Sequence, residues 1–414
     1  MPKSYFIVWK VGGLSLKVGA KGLYWFLWLV LVFILWFGRE TVALACSLCP
    51  EAEQTNDPDT IVSFVEQWLS EEDVEGVQEE LEKEMGGNHN FHFYSYVMDL
   101  MTGKEPFTFW NVVHKMTVCL QNSILEQKSI WSGCFFIALC SIFFANVASI
   151  FQNQFVGKVG AYAGMLWMAT LFLSVFRQVF QGASQLLSSI LLFMKALFPV
   201  FFMTVSASGG LEMANQGYGN VLCVITAVEY FVGTILFRMI SVYFYLAMLN
   251  HFMEKDTFSK ALEWLEEVVK WATKGLFGLV IGMNSLQSLL LPAMEKVKRL
   301  ALLRSGEAIP VVGDALSGTT ELTFGIMSLL RNAVGVAGVI GLFVVCGVPL
   351  LKLLVYAFIF RGEAALLQPL GGEKICQSFV YVSKTAQMLL EVELTCVLLF
   401  AITLIMLAFS LGGL

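Results

Sequence analysis

The stretch that most constrains this chain is residues 333–360, AVGVAGVIGLFVVCGVPLLKLLVYAFIF. Its only charge is Lys352, its only proline is Pro349, and Gly335, Gly338 and Gly341 open it. As a helix it would run about 42 Å at 1.5 Å per residue. The hydrocarbon core of a bilayer is about 30 Å thick. The segment therefore overruns one upright span and carries a helix breaker and a cation where water is scarce. Proline deletes a backbone donor and crowds the preceding turn. At membrane depth this is tolerated only where neighbouring protein or a wet cavity satisfies the freed groups. A helix bundle is expected around it.

The remainder of the chain supports that expectation. Of 414 residues, 57% are hydrophobic and 14% charged, with nine prolines. Soluble domains are nearer a quarter charged. Several apolar runs of membrane length are present, which predicts an all-α, polytopic helical membrane protein with proline-broken helices. The net charge of −6 is unevenly spread: residues 46–130 hold 16 Asp and Glu against 4 Lys and Arg. No basic patch of the kind that binds nucleic acid stands outside short loops.

Residues 1–45 read as a signal peptide. Lys3, Lys10, Lys17 and Lys21 precede an apolar run, and Ala43 and Ala45 supply a small-x-small cleavage pattern. The alternative is an uncleaved anchor helix; in both cases the lysines hold the N-terminus in the cytoplasm. Residues 46–129 then form an acidic extracytoplasmic segment, whose acidic run reads as a solvated helix face. Cys46 and Cys49 read as free thiols, the alternative being a disulfide on the outer face. His89 and His92 lack the carboxylate or cysteine partners that a metal site needs, so no metal is expected.

About seven spans follow the signal. A first helix group occupies residues 130–252, with spans at 130–151, 159–180, 186–205 and 218–249. An amphipathic helix at 253–274 separates it from a second group at 275–414. That group has spans at 275–291, 333–360 and 394–411, a candidate re-entrant segment at 309–330, and a polar link at 361–386. Gly157, Gly160 and Gly164 share their spacing with Gly275, Gly278 and Gly282. Together with Gly335, Gly338 and Gly341 they are candidates for close helix packing.

No catalytic constellation is present: neither GxSxG, nor a phosphate loop, nor HExxH occurs. The chain is expected not to be an enzyme and to need no cofactor. The sharper signal is four ionisable groups in apolar runs, Lys195, Glu229, Arg238 and Lys352. Such groups usually face a bundle interior or a watery path. Lys195 precedes Pro199 by four residues, whereas Lys352 follows Pro349 by three. Paired proline-interrupted segments are the pattern of inverted-repeat transporters. The plainer reading is that the lysines snorkel and the prolines kink.

Four stretches carry a family resemblance: MKALFPVFFMTVSASGG (194–210), IPVVGDAL (309–316), LLRNAVGVAGVIGLFVVCGVPLLKLLVYAFIFR (329–361) and LLQPLGG (366–372), with the weaker TGKEPF (102–107). In these residues and their order the chain resembles the stage III sporulation protein AE family. Gly362 and Glu363 depart from the apolar residues expected there. The resemblance implies a multi-pass protein of the mother-cell membrane facing the forespore. It would be the membrane core of a channel or secretion-like complex needed for forespore development after engulfment. The implied partners are other stage III sporulation membrane proteins of the same operon, including a secretion-type ATPase and ring-forming proteins. Two alternatives stand beside it: a free-standing secondary transporter using the intramembrane Lys and Glu, or a passive membrane scaffold.

Overall fold

Residues 71–84, 92–102, 131–143, 154–207, 211–253, 257–306, 313–370 and 373–412 are described by the computed structural model. The chain divides into two units, Met1–Pro58 and Asp59–Leu414, and every described residue belongs to the second. The signal peptide with Ala43 and Ala45, the two early cysteines and His89 lie outside the described residues.

Apolar residues at spacings of three and four lay down each helix and choose its inner face. Helix α1 (Glu71–Glu84) buries Val74, Val77 and Leu81 while Glu75 and Glu79 stay exposed. The acidic run is therefore one side of an amphipathic helix whose other side is docked. Helix α2 (Phe93–Thr102) buries Phe93, Tyr96 and Val97. The Phe93 backbone N–H donates to Gln78 Oε1 at 2.9 Å, which ties the start of α2 to α1. Helix α3 (Trp131–Phe143) buries Trp131, Cys134, Ala138 and Ile142.

The long elements follow. Helix α4 (Gln154–Ala207) has 54 residues, about 80 Å at the helical rise. Helix α5 (Leu211–Tyr230) continues through a π-type segment, Phe231–Leu236, into α6 (Phe237–Phe252). Helix α7 is Ser259–Gly306, α8 is Gly313–Leu367, and α9 is Glu373–Gly412. Among the described residues there is no strand. Also among the described residues, four helical stretches are long and apolar enough to cross a membrane: Tyr162–Ser206, Gly217–Asn250, Leu329–Leu370 and Ile375–Ala408. The fold is that of a helical membrane protein.

The segmentation differs from the sequence reading. The spans at 159–180 and 186–205 are one helix, because Gln181–Gln185 contains no proline and its polar side chains leave backbone hydrogen bonding intact. Residues 259–274 of the amphipathic region and the 275–291 span are both parts of α7, which runs across the boundary at 274/275. Residues 361–386 are no polar link. They hold the end of α8, a 3-10 turn at Gln368–Leu370 and the start of α9. Pro199 and Pro349 both sit inside continuous helices rather than ending them.

Helix α8 sits at the centre, packed along α9 and against α4, α1 and α2. Its register against α4 is antiparallel. A Cβ at Gly338 would meet Leu197 Cδ2 at 2.5 Å, and one at Gly341 would meet Phe193 Cζ at 2.8 Å. Gly335 faces Ala408 of α9 at 3.0 Å in the same sense. These three glycines let three helices approach closely, which maximises dispersion contact where lipid offers no hydrophobic drive. Helices α7 and α9 are cross-linked by polar side chains. Asn284 Nδ2 donates to Thr403 Oγ1 at 2.6 Å, and Lys384 pairs with Glu266. Ser383 Oγ donates to the Ala357 carbonyl at 2.7 Å, joining α9 to α8.

Candidate functional site

The α4–α5 hairpin brings two of the predicted ionisable residues together. Phe202 meets Tyr218 edge-to-face at 5.8 Å, and further along Phe180 meets Phe237 at 5.5 Å. Between these contacts Lys195 Nζ donates to Glu229 Oε2 at 2.8 Å. The pair is not sealed in the bundle: the side chains are 40% and 47% exposed. Pro199 leaves the Lys195 carbonyl without its usual helical donor, adding an acceptor beside the ammonium. The π-type segment begins two residues after Glu229; such segments recur at functional positions.

The pair ends a longer polar face. Along α4, Thr170, Ser174, Arg177, Gln178, Gln181, Ser184, Gln185, Ser188 and Lys195 are all exposed. Their spacings of three, four and seven place them on one side of the helix. Leu173 and Leu192 are the only apolar residues among the exposed positions from 170 to 195. Ser188 and Thr170 bond back to their own helix. The amides of Gln178, Gln181 and Gln185 and the Arg177 guanidinium make no hydrogen bond among the described residues. A polar group left unsatisfied in hydrocarbon costs several kcal/mol, roughly 2–7 depending on the reference state. A charge at membrane depth costs about 2.5–3.5 kcal/mol on insertion scales. Lipid is therefore a poor neighbour for this face.

The other predicted residues do not join the pair. Arg238 is exposed on α6, near the level of Gln181 given the Phe180–Phe237 contact, and has no ion pair among the described residues. Lys352 is half-buried on α8 and likewise unpaired among the described residues. The Gly338–Leu197 register separates it from Lys195 by about 18 Å along the helix axis. The two lysines thus do not form one site. Gly164 faces Ser141 of α3, with a Cβ there 2.6 Å from the hydroxyl oxygen. Among the described residues, a Cβ at Gly160, Gly275, Gly278 or Gly282 would meet nothing within 4 Å. The side-chain surroundings of Gly157 lie outside the described residues.

Packing also marks residues that sequence reasoning passed over. Glu393 is fully buried in α9 with neither carboxyl oxygen hydrogen-bonded among the described residues, and Glu363 has one oxygen in that state. Glu393 immediately precedes the span read from sequence at 394–411; its neighbour Glu391 is exposed. Outside the long apolar spans, Glu266 of α7 accepts from Lys270 at 2.7 Å and also holds Lys384. Burial pushes its carboxyl up, but the hydrogen bonds and charges of the two lysines outweigh burial and hold it below its ordinary value. Burial lowers Lys270 and Glu266 raises it; the net effect is a rise. Among the described residues no group of three His, Cys, Asp or Glu could hold a metal.

The sequence profile described as stage III sporulation protein AE matches residues 91–410. The chain belongs to the stage III sporulation protein AE family. The stage III sporulation protein AE of Bacillus subtilis (strain 168) is 22% identical over 366 residues, covering 87% of this chain and 91% of its own length. No solved structure matches the chain. Membership of the family implies a role in sporulation. The matched region contains the Lys195–Glu229 pair, the whole polar face of α4 and both buried glutamates.

Proposed function

We propose that this protein is the non-enzymatic membrane core of a channel or secretion-like complex that links mother cell and forespore and is required after engulfment. It would act in the mother-cell membrane facing the forespore. Its partners would be the other stage III sporulation membrane proteins of its operon, among them a secretion-type ATPase and ring-forming proteins. The observation that carries the reading is the half-exposed Lys195–Glu229 pair on the outside of the helix packing. A charge pair at membrane depth needs a polar neighbour, and a partner surface or a water-filled path supplies one. The free-standing transporter reading loses support because Lys352 lies far from the pair.

The test is affinity purification of the full-length protein from sporulating cells, in wild type and in the paired variant Lys195→Met with Glu229→Gln. The double change removes both charges and leaves no orphan. The expected result is that ring and ATPase partners are recovered with both proteins while forespore development fails in the variant. Recovery of no partner with the wild type refutes the complex. Normal development with the variant at wild-type abundance makes the protein a passive scaffold.

A further inference from the structure

The polar face of α4 has a length and a charge that say more than that something polar lies beside it. From Ser174 to Lys195 it rises about 32 Å at 1.5 Å per residue. This matches the thickness of a hydrocarbon core, about 30 Å. The candidate span Tyr162–Ser206 is longer than the bilayer is thick. Wherever the hydrocarbon layer falls along it, part of the face lies at that depth: Arg177 and Gln178 towards one end, Ser188 and Lys195 towards the other.

Two alternatives to water can be weighed from the side chains themselves. A dry interface with another protein would have to bring a partner for each buried amide and guanidinium group, since three glutamines and Arg177 have none among the described residues of this chain. A cation site demands surplus carboxylates, and the face has one, Glu229, already paired with Lys195. The surplus charge is positive. Arg177 and Arg238 stand exposed at neighbouring levels of α4 and α6, without an ion pair among the described residues, while Lys195 and Glu229 cancel. Cationic side chains lining a pore favour anions.

We propose that the polar face of α4, with Arg238 beside it, is the wall of a hydrated path that favours anionic solutes. This rests on the reading that the chain is part of a channel, and it names the side of the molecule that meets the passing solute. Helix α4 then has two faces with separate duties. Phe193, Leu197 and Phe201 pack on the glycines of α8, and the opposite side conducts.

The experiment is cysteine labelling of the full-length protein in membranes from sporulating cells. Cysteines are placed singly at Ser174, Gln178 and Ser188, with the native Cys46, Cys49, Cys119, Cys140 and Cys223 replaced by serine. Phe358→Cys is the control: it is 70% exposed and apolar, and the α4–α8 register sets it level with Arg177. Membrane-impermeant thiol reagents carrying a sulfonate or a quaternary ammonium are compared, each normalised to a free thiol in solution. The face positions are expected to react at least tenfold faster than Phe358→Cys, with the sulfonate favoured. Arg177→Gln together with Arg238→Gln is expected to abolish that preference while leaving accessibility. Face positions as unreactive as the control overturn the hydrated path. Reaction without charge preference overturns the anionic assignment. Three positions are used so that one poorly accumulating variant does not decide the result. Recovery of partners with labelling lost refutes this inference alone; labelling without any partner refutes the complex alone.

Discussion

Adding one methyl group at Gly338 should separate a packed glycine from an unpacked one. In Gly338→Ala the new Cβ would stand 2.5, 3.3 and 3.4 Å from Cδ2, Cδ1 and Cγ of Leu197, so the whole isobutyl group is in the way. Leu197 is fully buried and has little room to turn aside. Overpacking a close-packed site costs about 1–3 kcal/mol. Alanine returns about 0.8–1 kcal/mol of helix propensity. The net cost should be about 0–2 kcal/mol, read as a fall of up to a few degrees in the unfolding midpoint of the detergent-solubilised protein. Gly278→Ala is the internal control. Its Cβ would meet nothing within 4 Å, so that variant should be neutral or up to about 1 kcal/mol more stable. Leu197→Ala alone should cost about 2–5 kcal/mol through the cavity it leaves. The double variant should lose less than the sum, because the methyl at 338 fills part of that cavity. A Gly338→Ala protein stabilised as much as Gly278→Ala, or strict additivity with Leu197→Ala, refutes the close approach of α4 and α8.

Glu266→Gln weakens two ion pairs to one carboxylate that is 14% exposed, and should cost about 1–2 kcal/mol after discounting the half-exposed lysines. Because the folded carboxyl sits below its ordinary value of 4.5, its contribution is present above that value and is lost as pH falls through the lower folded value. The midpoint difference between wild type and Glu266→Gln should be constant from pH 7 to 5 and shrink only below about 4.5; shrinkage already between pH 7 and 6 refutes the assignment. Glu393→Leu replaces a fully buried carboxyl that has no hydrogen bond among the described residues by an apolar group of similar volume. It should raise the unfolding midpoint, through the roughly 1–3 kcal/mol that a buried unsatisfied polar group costs. A lower midpoint would show that Glu393 has a partner in the folded protein. A higher midpoint with failed sporulation would mark the carboxyl as retained for function.

Much of the architecture was legible in residue order. Apolar runs marked α4 through α9 because a helix that meets lipid must be apolar around most of its circumference. The acidic stretch at α1 declared its buried side through Val74, Val77 and Leu81. The polar face of α4 was also written in the sequence, as Arg177, Gln181, Gln185 and Ser188 at helical spacing. It was masked because a hydropathy window sums around the helix and the surrounding Phe, Leu and Val dominate the sum. Where helices stop was less legible. Prolines at 199 and 349 and the polar run at 181–185 suggested breaks that packing on both sides holds together.

The sequence by itself determined that the chain is helical, that it suits a membrane, and that a few charges sit in apolar surroundings. Composition and spacing are local properties, and local properties decide those questions. Tertiary structure alone decided which glycines of three similarly spaced sets meet a neighbour: Gly164 and the set at 335, 338 and 341. Spacing describes one helix, whereas a contact also needs Leu197 and Phe193 to arrive opposite Gly338 and Gly341. It decided that Lys195 pairs with Glu229, thirty-four positions away, and not with Lys352, because the hairpin register sets which levels meet. It decided that Glu393 is buried and Glu391 is exposed. Two residues along a helix is a turn of about 200°, and only the position of the neighbouring helices says which side is inside.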